Sequence, residues 1–275
     1  MPALRCEGSH VTSPLAGPSG NAPARGSDRE PIACGHYAAL HSQVLGEARR
    51  LLVYLPQGYD DGSETYPTLI QLDGETETFC QAAMTAWYLA HMAERIPEAI
   101  VVAIENTDRA RDMALGAGAE RFLQFIADEF LPFIAANYRT NGFRVLYGQS
   151  ASSVFACYAF LKRARLFDAC VLSSFGLSEQ GRAFLKDVLP ALGPGGFRER
   201  ALFAANGQVD PYDPAGTRAS NGLRFLDALA QSPESRIVLR YETYRDEGHV
   251  PYPSLYDGLK WIYGLSRDIP TEGAR

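Results

Sequence analysis

The residues with the clearest chemical potential lie in two places far apart in the chain. Gly148-Gln149-Ser150-Ala151-Ser152 follows the apolar run Phe143–Tyr147 and precedes a helix-like stretch from Val154. A G-x-S-x-G sequence in that setting puts its serine on a tight strand-to-helix turn, with the hydroxyl lifted above the sheet edge and small neighbours letting the backbones close in. Ser152 stands where the second glycine would be, and serine is small enough for the same turn. A serine hydroxyl attacks a carbonyl carbon only when a base takes its proton, usually with an acid to orient that base. His249, in Asp246-Glu247-Gly248-His249, follows the alternating run Arg236–Tyr244 and is placed to be the base. Of the others, His10 lies in a polar leader, His36 and His41 come too early, and His91 reads as part of a helix. The acid should follow the run Ala201–Ala205, where Asp210 and Asp213 both stand. Asp210 is nearer the strand end and is favoured; Asp213, or a Ser–His pair with no acid, are the alternatives.

The oxyanion formed by such an attack needs preorganised backbone N–H donors. Ala151, just after the serine, is one expected donor, and Gly74 or Glu75, after the run Thr68–Leu72, is the other. Asp73 reads as a turn-shaping residue. The loop after Ala99–Ile104 carries Asn106, Asp108, Arg109, Arg111 and Asp112. By the open-sheet rule it lies near the site, so Arg109 or Arg111 is expected to meet an anionic or carbonyl-rich substrate, unless the cluster is a local Arg–Asp brace. Gln149, beside the serine, is the third candidate for substrate contact. Trp87, Tyr88 and Phe175 are pocket or core aromatics.

These residues need a scaffold, and the chain's patterning supplies one. His36–Val44 and Arg49–Leu55 read as strands around Gly46, and Thr68–Leu72 as a third, stopping at Asp73-Gly74. Phe79–Arg95 is helix-like. Ala99–Ile104 is a continuous apolar run, as expected of a strand buried on both faces. Phe122, Phe125, Ile126, Phe130, Phe133 and Ile134 recur at helical spacing, predicting a helix of about five turns with Pro132 as a kink or late first turn. Phe143–Tyr147, Ala169–Ser173, Ala201–Ala205 and Arg236–Tyr244 read as strands; Val154–Lys162, Leu223–Ala230 and Ser254–Tyr263 as helices. Strands alternating with helices predict an α/β fold, a mostly parallel central sheet with helices on both faces.

Between Met1 and Cys34, 13 of 34 residues are Gly, Pro or Ser, too little apolar surface to offset ordering entropy, so residues 1–34 are expected to be a disordered leader. Residues 35–268 should form one domain and 269–275 a flexible tail. The chain of 275 residues has a formal net charge of −6, which argues against a nucleic-acid partner. No apolar run approaches the roughly 18 residues of a membrane span. The 5 cysteines are odd in number and lack metal-site spacing, favouring a reducing, cytoplasmic compartment without disulfides or a metal.

Several segments resemble the family named Putative esterase among the α/β-hydrolases, the group of enterochelin (ferric-siderophore) esterases, esterase D-like S-formylglutathione hydrolases, feruloyl esterases and bacterial mycolyltransferases. They are Arg50–Tyr59 (RLLVYLPQGY) with Tyr66–Gly74 (YPTLIQLDG), Asn106–Asp112 (NTDRARD), Tyr138–Ser150 (YRTNGFRVLYGQS) and Glu247–Ile262 (EGHVPYPSLYDGLKWI). The resemblance implies an α/β-hydrolase fold with Ser150 as nucleophile and His249 as base, acting on a small-molecule ester, of siderophore type within the nearest branch. It implies no metal or organic cofactor. The family pattern has His before the serine and Gly two after it, where this chain has Gln149 and Ser152. The stretch after Asp112 is also short. Related members pass the acyl group to another alcohol, so transfer is the alternative to hydrolysis; a non-catalytic binding protein on the same scaffold is the alternative from a different class.

Overall fold

The structure, a computed structural model, describes residues 33–188, 200–232 and 236–267. The expected leader, apart from Ala33 and Cys34, and the expected tail lie outside the described residues. The residues from Cys34 onward cluster as one unit.

A single 8-stranded sheet runs in the order β1-β2-β4-β3-β5-β6-β7-β8. Its strands are β1 (His36–Ser42), β2 (Glu47–Tyr54), β3 (Tyr66–Gln71), β4 (Ile100–Ile104), β5 (Thr140–Gln149), β6 (Ala169–Ser173), β7 (Arg200–Gly207) and β8 (Ile237–Tyr244). β2 is antiparallel to both its neighbours, and every pairing from β4 to β8 is parallel. The helices are α1 (Thr76–His91), α2 (Arg109–Met113), α3 (Ala117–Phe125), α4 (Leu131–Asn137), α5 (Ala151–Lys162), α6 (Glu179–Val188), α7 (Thr217–Ala230) and α8 (Pro253–Arg267).

The continuous apolar runs follow from cover on both faces. In β4, Ile100, Val102 and Ile104 join a core with Phe122, Phe125 and Phe155, while Val101 and Ala103 join the opposite core with Phe79 and Leu89 of α1 and Leu255 and Leu259 of α8. Alternating side chains therefore both find apolar partners, and no polar position is tolerated. α5 is buried along most of its length, because it lies directly behind β5 and β6.

The single long helix expected around Phe122–Ile134 is interrupted. α3 and α4 are separated by a π-helical turn, Ile126–Phe130, in which the Leu131 N–H donates to Ile126 O. Pro132 follows at once; having no N–H, it cannot continue an α-helical ladder, and the widened turn takes up the mismatch. The same turn carries Glu129 to the β1–β2 connection, where its carboxylate accepts from the Ser42 hydroxyl, from Gln43 N at 2.8 Å and from Val44 N at 3.0 Å. The short helix α2 and the more polar α6 are further elements that periodicity alone does not announce.

Candidate active site

β5 runs straight into the turn at Ser150, and α5 begins at the next residue. Ser150 has φ 55° and ψ −123°, a region sparsely populated by residues with a Cβ. The strain is held by the surroundings. Ser150 N donates to Ser173 O at 2.9 Å. A Cβ on Gly148 would lie 2.4 Å from Ser152 O, so only glycine lets α5 sit this close to β5. Fully buried Ser152 explains its own departure from glycine. Its hydroxyl accepts from Gln149 N at 2.7 Å and donates to Gln149 O at 2.8 Å, clamping the residue before the turn.

His249 reaches this serine from the loop after β8. His249 Nδ1 lies 2.8 Å from Asp210 Oδ2, and His249 Nε2 lies 2.8 Å from Ser150 Oγ. A carboxylate can only accept, so Nδ1 carries the ring proton and Nε2 is free to accept from the serine hydroxyl. Asp210 is itself fixed: its Oδ1 accepts from Tyr212 N at 2.8 Å. Asp213 is used elsewhere, accepting from Ala219 N at 2.8 Å near the start of α7. Of the two carboxylates, the geometry therefore brings Asp210 to the imidazole.

The His249 loop is packed against the end of β7, where a Cβ on Gly207 would lie 2.0 Å from Gly248 O. Val250 N donates to Ser174 Oγ at 2.7 Å. Of the 6 described non-glycine residues with positive φ, Asp73, Ser150, Ser174 and Val250 all lie at this edge of the sheet. Clustered backbone strain of this kind is characteristic of functional sites.

The expected donors divide. The Ala151 N–H is the first amide of α5, which has no intrahelical acceptor. Gly74 and Glu75 differ from the sequence expectation: Gly74 N donates to Ile104 O at 2.8 Å and Glu75 N to Asp73 O at 2.9 Å. The Gly74 amide is thus engaged by the end of β4 and the Glu75 amide by its own loop. Gly74 is glycine because a Cβ there would lie 2.7 Å from the Ile104 carbonyl.

The three expected substrate contacts are likewise spent on structure. Arg109 forms a bidentate pair with Asp73, at 2.6 and 2.8 Å, and Asn106 donates to the same carboxylate at 2.8 Å. Burial pushes the Asp73 pKa up, but the hydrogen bonds from Arg109 and Asn106 outweigh it and hold the carboxyl below its usual range. Arg111 donates to Glu47, at 2.7 and 3.1 Å, and to Asp112 at 2.7 Å. Gln149 is buried beneath the turn.

A cavity of about 770 Å³ opens beside Ser150 and His249, lined by none of these three nor by Gly74 or Glu75. Its apolar wall is Met113, Leu115, Val154, Phe175 and Leu223, and its polar wall includes Asn206, Gln208, Tyr241 and Thr243. Arg218 is the arginine along this wall, and it has no carboxylate partner among the described residues. Phe175 is thus both core and lining, whereas Trp87 and Tyr88 lie on α1 outside the cavity. Tyr241 sits in a strand read only for its alternation, which does not say which polar residue faces the site, and Arg218 precedes the helix expected at Leu223–Ala230, in the first turn of α7.

Comparison with known proteins now adds an independent line. No curated protein sequence matches the chain significantly. Among solved structures, an IroE-like serine hydrolase from Shewanella oneidensis superposes with a TM-score of 0.74 at 29% identity, over 84% of this chain and 80% of the other. The siderophore hydrolase EstA from Aspergillus nidulans gives 0.71 at 17% identity, over 91% and 100% of the two chains. The enterochelin esterase from Shigella flexneri gives 0.64 at 21% identity, over 87% and 60%. These likenesses establish an α/β-hydrolase fold. The family model described as Putative esterase matches residues 42–218, so the chain belongs to that family and is a carboxylic-ester hydrolase.

Proposed function

We propose that the chain hydrolyses its esters through an acyl-enzyme on Ser150. The Ser150 oxygen bonds to the ester carbonyl carbon while its proton passes to His249 Nε2. Asp210, bonded to Nδ1, holds the ring in the required tautomer and stabilises the imidazolium that forms. The developing oxyanion is met by the Ala151 N–H at the start of α5. Collapse breaks the carbonyl carbon–alkoxy oxygen bond, and His249 returns the proton to the departing alcohol. Water then enters, gives a proton to His249 and attacks the acyl carbon, and the proton returns to Ser150 as the acid leaves. The cycle uses these side chains, the substrate and water.

The observation that carries this reading is the chain of two 2.8 Å hydrogen bonds from Asp210 through His249 to a serine held at positive φ. The substrate class is a small-molecule ester. A siderophore-type ester is the favoured member, supported by the solved relatives described as siderophore hydrolases and an enterochelin esterase. Ser150→Ala should lower hydrolysis of a short p-nitrophenyl ester by roughly 10⁴-fold or more and abolish labelling by a fluorophosphonate probe. Equal labelling of Ser150→Ala and wild type would falsify the assignment.

A further inference from the structure

Large apolar side chains stand in solvent on the two loops that carry Asp210 and His249. Val209 is 68% exposed, Tyr212 71% and Tyr252 68%. Each lies within three residues of Asp210 or His249, on the two loops that carry them. The three are tied to the site by backbone bonds. Val209 N donates to Glu247 O at 3.2 Å, and Tyr252 N donates to Glu247 Oε2 at 3.3 Å. Tyr212 N donates to the Asp210 carboxylate at 2.8 Å. The Tyr212 ring packs at 4.6 Å, centroid to centroid, from the His249 ring, inclined at 56°. Leaving such groups in water forgoes burial that would stabilise the fold, and a cluster of them next to a reactive centre marks a contact surface.

Reaction chemistry says which part of the substrate meets this surface. When the carbon–oxygen bond breaks, the departing alkoxy oxygen must take its proton from His249 Nε2, within about 3 Å. The alcohol portion therefore leaves on the imidazole side, whatever the acyl group, and its substituent lies next to the ring that packs on His249. We propose that Tyr212, which packs on the His249 ring and lines the cavity, is a shelf for the alcohol portion of the ester and selects aromatic or extended apolar alcohols. This rests on the Ser150–His249 reading above. A largely exposed tyrosine offers a flat apolar ring face with a polar hydroxyl at its tip, a combination suited to an open binding edge.

The test uses methyl and benzyl butyrate, which share an acyl group and release alcohols of similar acidity. Wild type should have a kcat/KM for the benzyl ester about tenfold above that for the methyl ester, the scale of one good aromatic contact. Tyr212→Ala should reduce that ratio about tenfold, chiefly through KM, while Tyr212→Phe preserves it. Tyr252→Ala and Val209→Ala should reduce it less. Equal kcat/KM for the two esters in wild type overturns the shelf, as does a Tyr212→Ala loss identical for both, which would make Tyr212 a positioning residue for His249. In either case hydrolysis that still depends on Ser150 keeps the nucleophile reading intact. Hydrolysis of both esters that survives Ser150→Ala overturns that reading and the shelf with it.

Discussion

The segment that follows β4, a short loop and α2, sends its charged side chains in two directions. Toward the Ser150 turn, Asn106 and Arg109 hold Asp73, and Arg109 Nη2 also lies 3.5 Å from Gln149 O, the carbonyl just before Ser150. Toward the core, Asp112 pairs with Arg49, Arg49 also meets Glu47 at 2.7 Å, and Arg111 bridges Glu47 and Asp112. The residue types are the same but the surroundings differ. Arg49 and Asp112 side chains are 1% and 2% exposed, and the Arg49 guanidinium lies 5.2 Å from the Phe122 ring centroid. The Arg109 side chain is 42% exposed. A dry ion pair is costly to break because the surviving charge stays buried, whereas a half-open pair relaxes into water. The core network should therefore govern stability and the site network should govern catalytic geometry.

The largest expected effect comes from opening the dry pair. Asp112→Ala leaves Arg49 buried with Glu47 alone and should cost about 3–5 kcal/mol, read as a thermal midpoint roughly 10 °C lower. Replacing the pair by apolar residues, Arg49→Met with Asp112→Leu, should recover most of that loss, since the penalty lies in the unpaired charge. A midpoint unchanged in Asp112→Ala would erase the distinction between the two networks. Activity per folded molecule should stay within a few-fold of wild type at low temperature.

The site network should show the reverse pattern. Asp73→Asn keeps the shape but removes the charge that grips Arg109, loosening the support under Gln149 and Ser152. We expect kcat to fall by about 10–100-fold with little change in KM, as misplacement of Ser150 predicts under the proposed acyl-enzyme reaction. The rate of fluorophosphonate labelling should fall in parallel, and the thermal midpoint should drop by less than in Asp112→Ala. A large loss of stability with normal kcat would show that Asp73 belongs with the core network.

This division is also where reading from sequence reaches its physical limit. The strand Ala169–Ser173 is legible because burial on both faces demands apolar side chains from Ala169 to Leu172. The Ser150 turn and the His249 loop are legible because their order along the chain and the strands before them constrain where they can lie. The choice between Asp210 and Asp213 is not, since both follow the same strand and only the folded loop turns one toward the imidazole. The hydrogen bonding of Gly74 and Glu75, expected as oxyanion donors, is illegible for a related reason: residue type says nothing of where an amide points, and both amides already donate to backbone carbonyls. Arg109 and Arg111 are two positions apart yet take different carboxylates, a choice made by tertiary packing. Ser152 shows the opposite case, a departure from pattern whose hydroxyl supplies the clamp that a glycine there would lack.

The smallest expected effect separates the networks by titration. Each contains a carboxylate held below its usual range: Asp73, where the hydrogen bonds of Arg109 and Asn106 outweigh burial, and Glu47, through hydrogen bonding to Arg111. A carboxyl whose folded pKa lies below its unfolded value, about 3.9 for Asp and 4.3 for Glu, stabilises the fold above that unfolded value. The contribution disappears as pH falls through the folded value. Asn and Gln at these positions do not titrate. The difference in unfolding free energy between wild type and Asp73→Asn should therefore be constant from about pH 6 to 8 and shrink below about pH 4. Glu47→Gln should show the same sign. Because Glu47 is more open to solvent than Asp73, its difference should be smaller and should fade with added salt, while that of Asp73 resists salt. Denaturant titrations at two pH values and two salt concentrations read all four quantities. An Asp73 difference that does not shrink in acid, or that salt removes as readily as that of Glu47, would mean that the turn beneath Ser150 is not held by the charge of Asp73.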